Sequence, residues 1–132
     1  MFKVFDIAGS ALSAQTLRLN TTASNLANVD SVSSSTEQTY RSRQPVFAAA
    51  LSEAREAVGV EVRGIVESQA PLRQEYRPDH PMANEQGYVF LPNVNAVEEM
   101  ANMISASRAY QSNVEVINTA KQLALKTLTL GQ

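Results

Sequence analysis

Small and apolar side chains recur along the first quarter of the chain at alternating spacings of three and four. They are Phe5, Ala8, Leu12, Gln15, Leu19, Thr22 and Leu26. This is the seam of an amphipathic helix about three heptads long, and Ile7, Ala11 and Ala14 widen its apolar face. The seam is weak. Ala, Gln and Thr stand where an isolated coiled coil would want Leu or Ile. The outer face is nearly uncharged, because Lys3, Asp6 and Arg18 are the only charged residues before Val29. A solvated helix face normally carries far more charge than this.

A second helical pattern fills the end of the chain. Met103, Ser107, Tyr110, Val114, Ile117, Lys121, Ala124 and Leu128 again alternate by four and three. Pro92 precedes Asn95, which can cap, and Glu98 three residues later completes a capping-box pattern. Glu98 and Glu99 suit the positive end of the helix dipole, and Lys121 and Lys126 lie towards its negative end. Gly131 closes the run. About 35 residues at 1.5 Å each make a rod of roughly 50 Å, too long for the diameter of a compact domain of this size.

Between the helices the period changes to two. Val58, Val60 and Val62 alternate with polar residues towards Glu67 and predict a strand. Tyr40 to Phe47 predicts another, with Pro45 pushing it to an edge or bulge, and Gly87 to Leu91 a third. Arg77 to Pro81 is turn chemistry, and Ser31 to Gln38 reads as a polar loop. Ala48 to Ala57 has a helix-favouring composition in surroundings that do not favour one.

The expected fold is therefore mainly α. Long N- and C-terminal helices pair as a coiled-coil-like tube domain around a small β-rich insert. The divisions are residues 1–30 for the first helix, 31–94 for the middle and 95–132 for the last helix.

Composition sharpens this picture. The chain has 132 residues, 18% of them charged, and a net charge of −2, against about 25% charged residues in a typical globular domain. That balance argues against nucleic acid as a partner. With no Cys, disulfides, thiolate metal sites and thiol nucleophiles are excluded. No apolar run approaches the ~18 residues that span a bilayer. The N-terminus lacks the pattern of a cleaved secretory signal.

Candidate chemistry is thin. His80, the one histidine, sits in a turn between Asp79 and Pro81 without a second ligand or nucleophile in any motif. Glu98 and Glu99 are adjacent on a helix and do not face each other. Met100 and Met103 suit helix packing. Arg41, Arg43, Arg73 and Arg77 near Tyr40 and Tyr76 are interspersed with acidic residues and read as a solvated strand face. No catalytic residue, cofactor, metal or small-molecule substrate is expected.

The stretch AGSALSAQTLRLNTTASNLANVDS near the start, paired with ISASRAYQSNVEVINTAK near the end, resembles the bacterial flagellar rod/hook family. The likeness extends from about Phe5 to Gln132, and members of that family usually carry a Gly-containing turn where Ser33 to Gln38 stand. The resemblance implies a structural subunit of the proximal rod of the basal body, part of the torque-transmitting shaft around the export channel. It implies periplasmic placement after passage, unfolded and without a cleaved signal, through the flagellar type III export apparatus. Implied partners are further copies of the chain in a helical assembly, other rod proteins and a basal FliE-type adaptor.

Two stretches are expected at subunit contacts. One is the signature Ser24, Asn25, Leu26, Ala27 and Asn28, whose small residues admit a neighbour and whose amides can bond helix-end carbonyls or a nearby backbone. The other is Ala106, Ala109, Tyr110, Val114 and Ile117 on the last helix, two alanines beside a large amphipathic anchor. The alternative, a peripheral membrane protein with amphipathic ends, would need a strongly basic polar face.

Overall fold

A computed structural model describes residues 2–51 and 58–131. The elements in chain order are α1 (Phe2–Ala27), β1 (Arg43–Leu51), β2 (Val58–Glu67), β3 (Arg73–Tyr76), β4 (Tyr88–Leu91) and α2 (Ala96–Leu130). Strands β1 and β2 make one two-stranded sheet and β3 and β4 another.

Both terminal helices run where their periodicity places them. In α1 every residue of the seam is buried or half-buried. In α2 the seam positions Met103, Ser107, Val114, Ile117 and Ala124 are half-buried, while Tyr110, Lys121 and Leu128 are exposed, and the most covered face runs beside the seam through Ala106 and Ala120. Alanines define that face, and an alanine gives a pattern reader little apolar bulk to follow. Asn95 caps α2 as expected, accepting from the Glu98 N–H at 3.1 Å through Oδ1.

The middle segment departs from expectation in three places. The first strand begins at Arg43 rather than Tyr40 and continues to Leu51, so residues 48–51, with their helix-favouring composition, are strand. The rest of that ambiguous stretch, 52–57, lies outside the described residues. Strand β3, polar throughout, has no period that fixes its bounds in advance, although Arg73 and Tyr76 belong to the expected solvated strand face. It pairs antiparallel with β4, Tyr76 opposite Tyr88 and Arg73 opposite Leu91. The polar loop at 31–38 is also less free than its composition suggests. Ser33 exchanges two backbone hydrogen bonds with Phe90, at 3.0 and 2.9 Å, as a strand stub on the edge of β4.

The chain divides into two compact units. One contains α1 to Leu19, the β1–β2 ribbon within the described residues of 45–64, and α2 from Ile104 onward. Among its described residues the buried apolar positions are alanines: Ala8, Ala14, Ala106 and Ala120. The ribbon is held to α1 by Ser10. Its Oγ donates to the Ile7 carbonyl at 2.7 Å and accepts from the Val60 N–H at 3.0 Å. Gly59 permits that approach, since a Cβ there would lie 2.9 Å from Ser10 Oγ.

The other unit contains Asn20–Gln44 and Ile65–Met103. Its apolar core is small: Val89, Leu91, Pro92 and Val94. Around it lies a polar layer of Thr21, Thr22, Asn25, Ser33, Thr39, Ser42 and Glu99, all buried. Buried polar groups are costly unless bonded, so the hydrogen bonds of this layer decide whether the unit holds.

Candidate subunit-contact surface

The signature stretch ends α1 and ties it to the start of β1. Asn25 has no exposed surface. Its Nδ2 donates to the Arg43 carbonyl at 2.9 Å, and its Oδ1 accepts from the Arg43 N–H at 3.0 Å. The side-chain amide thus pairs with the Arg43 peptide as a neighbouring strand would. The same Oδ1 accepts from the Tyr40 hydroxyl at 2.8 Å. With that proton committed, the contact between Ser24 Oγ and Tyr40 Oη at 3.0 Å has Ser24 as donor. Arg43 completes the cluster by laying its guanidinium over the Tyr40 ring, 5.2 Å from the centroid.

Asn28 closes the end of α1 twice on one oxygen: its Nδ2 donates to the Ser24 carbonyl at 2.8 Å, beside its own backbone N–H at 3.2 Å. Of the five signature residues only Ala27 is exposed, with Ser24, Leu26 and Asn28 half-buried. Asn25 therefore acts on its own chain, and the surface left for another molecule is made by its neighbours.

Other long side chains lock the same unit. Arg73 donates through Nη2 to the Val29 carbonyl at 2.8 Å and through Nε to the Pro92 carbonyl at 3.1 Å. Asn93 accepts from the Ser42 N–H at 2.8 Å and donates to the Ala70 carbonyl at 2.9 Å. Arg41, Arg73 and Asn93 were not expected as structural residues. The signal available for them was weak, a few long-armed donors scattered through a polar segment.

On α2 the expected contact residues separate by exposure. Ala106 has none, Ala109, Val114 and Ile117 are half-buried, and Tyr110 is 37% exposed. Large apolar side chains elsewhere on the helix are more open. Val97, Met100, Ile104, Val116, Leu123, Leu125, Leu128 and Leu130 are all exposed. Val4 of α1 with Val116, Ala120 and Leu123 of α2 lines an apolar groove of about 530 Å³. Val58, Val62, Ile65 and Val66 are exposed along β2. Scattered exposed leucines are ordinary, but one helix exposing this much in series marks an interaction surface.

No His, Cys, Asp and Glu grouping among the described residues could hold a metal ion. His80 accepts from the Met82 N–H through Nδ1 at 3.0 Å, a turn-stabilising bond. No described helix is long and apolar enough to cross a membrane.

Comparison with known proteins agrees with this geometry. Residues 5–33 match the family described as flagella basal body rod protein. Residues 85–130 match the C-terminal family of the flagellar basal body rod FlgEFG proteins. The chain is 53% identical over 132 residues to the flagellar basal-body rod protein FlgC of Salmonella typhimurium, covering 100% of this chain and 98% of that one. It is 54% identical to FlgC of Yersinia enterocolitica with the same coverage. To FlgC of Buchnera aphidicola from Acyrthosiphon pisum it is 41% identical over 134 residues, again across 100% of this chain and 98% of that one. The membrane-surface alternative finds no support in any of these relatives. An end-to-end likeness at this identity, on a chain whose last helix leaves its apolar side chains open, places the chain in the FlgC family of flagellar basal-body rod proteins.

Proposed function

We propose that the chain is a structural subunit of the proximal rod, with its terminal helices paired as an inner tube domain around the export channel. The observation that carries this reading is the contrast within α2. Its buried apolar positions, Ala106 and Ala120, are alanines, while Ile104, Val116, Leu123 and Leu128 are exposed. A helix so arranged buries little apolar surface within its own chain, and its stabilisation must come from neighbours. Sparse charge on α1 fits burial between neighbours, where unpaired charges would be costly.

On this reading Ser24, Leu26, Ala27 and Asn28, held in place by the buried Asn25, form one subunit contact. Tyr110, with Ala106, Ala109, Val114 and Ile117 beneath and beside it, forms another. The partners are further copies of the chain, other rod proteins and a FliE-type adaptor at the base. The chain travels unfolded through the type III export apparatus and is placed in the periplasmic part of the basal body. A structural part of this kind transmits torque through packed contacts and performs no catalysis.

The test uses a flagellated host lacking its own copy of the rod protein. Leu123, 54% exposed, is replaced by Glu, which adds an uncompensated charge where a neighbour would cover it. Wild-type chain should restore swimming in soft agar, and Leu123→Glu should be exported at wild-type level yet restore none. Full motility of the variant would show that this face meets water in the assembled rod. Failure of the wild-type chain to restore motility would overturn the rod assignment itself.

A further inference from the structure

Glu99 lies in the first turns of α2 and is 3% exposed. Its Oε1 sits 3.4 Å from Gln44 Nε2, at the long limit of a hydrogen bond. Its Oε2 is buried and has no partner. The side chain lines a cavity of about 240 Å³, together with Ser42, Gln44, Ser68, Asn93 and Glu98. We infer that this cavity is a socket for a lysine or arginine side chain from a neighbouring subunit of the rod, with Glu99 as its counter-ion.

The Asn93 amide and the backbone N–H groups of Ser42 and Ser68 are spent on the cavity's own walls. Asn93 Nδ2 donates to the Ser68 and Ala70 carbonyls at 3.3 and 2.9 Å. The Ser68 N–H donates to the Ser42 carbonyl at 2.8 Å, and the Ser42 N–H to Asn93 Oδ1. Arg41, the cation that also reaches this wall, gives Nη1 to those same two carbonyls at 3.2 and 3.3 Å. The buried acceptor left without a partner there is Glu99 Oε2, and Glu98, exposed at the edge, adds a second carboxylate. The cavity's complement is a donor, and a buried carboxylate oxygen favours one that carries positive charge.

Size and ligand chemistry narrow the donor. The cavity is far larger than the ~30 Å³ share of one water, and it suits an ammonium or guanidinium with part of its stem. A divalent ion would want several oxygen ligands, yet the Ser68 and Ala70 carbonyls are engaged and no three acidic or imidazole groups converge among the described residues. The socket also sits at the capped start of α2, where Asn95 accepts from the Glu98 N–H through Oδ1.

The inference rests on the rod reading, and the experiment separates the two. In a host lacking its own rod protein, wild-type chain must first restore swimming; its failure would count against the rod reading. Glu99→Gln removes the charge while keeping the shape. The purified variant should melt at or above the wild-type temperature, because an uncompensated buried charge has been removed. In the host it should weaken each socket contact by roughly ten- to a hundredfold, seen as lost swimming with export unchanged. Wild-type swimming with Glu99→Gln would overturn the socket. Should that variant fold poorly, Gln44 replaced by photoreactive benzoylphenylalanine decides the matter in assembled basal bodies. Adducts to a Lys- or Arg-bearing segment of another subunit are expected, and adducts confined to the same chain would overturn the inference.

Discussion

Asn25 shows how one side chain can replace a strand. Its amide satisfies both the N–H and the carbonyl of Arg43 and accepts from Tyr40 as well. Glutamine would be one methylene too long for that geometry, and aspartate would set a second oxygen against the Arg43 carbonyl. We expect Asn25→Ala to lower unfolding free energy by about 2 kcal/mol or more, since each stranded buried polar group costs ~1–3 kcal/mol. Asn25→Asp should do at least as much harm. Tyr40→Phe, which removes only the hydroxyl shared by Ser24 and Asn25, should cost about 1 kcal/mol. Urea unfolding of the purified chain measures all three. An unaltered midpoint for Asn25→Ala would show that α1 and β1 do not depend on this amide. The motif was visible in the sequence as two amides able to bond helix-end carbonyls or a nearby backbone. Its partner was not, because nothing in a linear pattern connects Asn25 to the peptide of Arg43.

The elements differ in how plainly the sequence announced them, and the reason is where their stabilisation comes from. The extents of α1 and α2 followed from period and caps, which are local properties. Strand β2 followed from its valines. Strand β3, with the sequence Arg-Gln-Glu-Tyr, carries no alternation; it exists because β4 offers a partner and because the loop between them closes tightly. That closure depends on Gly87, whose φ of +85° disfavours side chains and whose added Cβ would come within 2.7 Å of the Tyr76 ring. Asn84 holds the same turn by accepting from the Gln86 and Tyr88 N–H groups through Oδ1 at 3.0 Å each. We expect Gly87→Ala to destabilise the chain by about 2–4 kcal/mol, combining left-handed backbone strain with overpacking. Gly9, inside α1 with nothing within 4 Å of an added Cβ, is the contrasting case. There alanine should stabilise by about 0.5–1 kcal/mol through helix propensity. Thermal melts of the two variants should shift in opposite directions. A shared direction would mean that local backbone conformation is not what separates these glycines.

At the scale of the whole molecule, the two compact units hold themselves together by different means. The unit containing Val89 and Asn25 is cross-tied by Arg41, Arg73 and Asn93 to backbone carbonyls far along the chain, contacts that need no other subunit. The unit containing Ala8 and Ala120 has alanine at the buried apolar positions among its described residues, and alanine burial contributes only a fraction of what a leucine does. Several larger side chains of α2, Leu123 and Leu128 among them, are exposed. Thirty-odd residues of α2 must give up backbone freedom at about 1–2 kcal/mol each. Helix hydrogen bonds and alanine contacts alone leave such a helix marginal in water. We therefore expect a graded stability in the dilute chain. Amide hydrogen exchange should be fast through residues 104–130 and slow at Val89, Leu91 and the peptides clamped by Asn25. On assembly the α2 amides should gain protection, because neighbours cover the leucines and circular dichroism then reports added helix. Slow exchange across α2 in the dilute chain, equal to that of β4, would show that the helix sustains itself. In that case the exposed leucines would no longer explain why the chain needs neighbours.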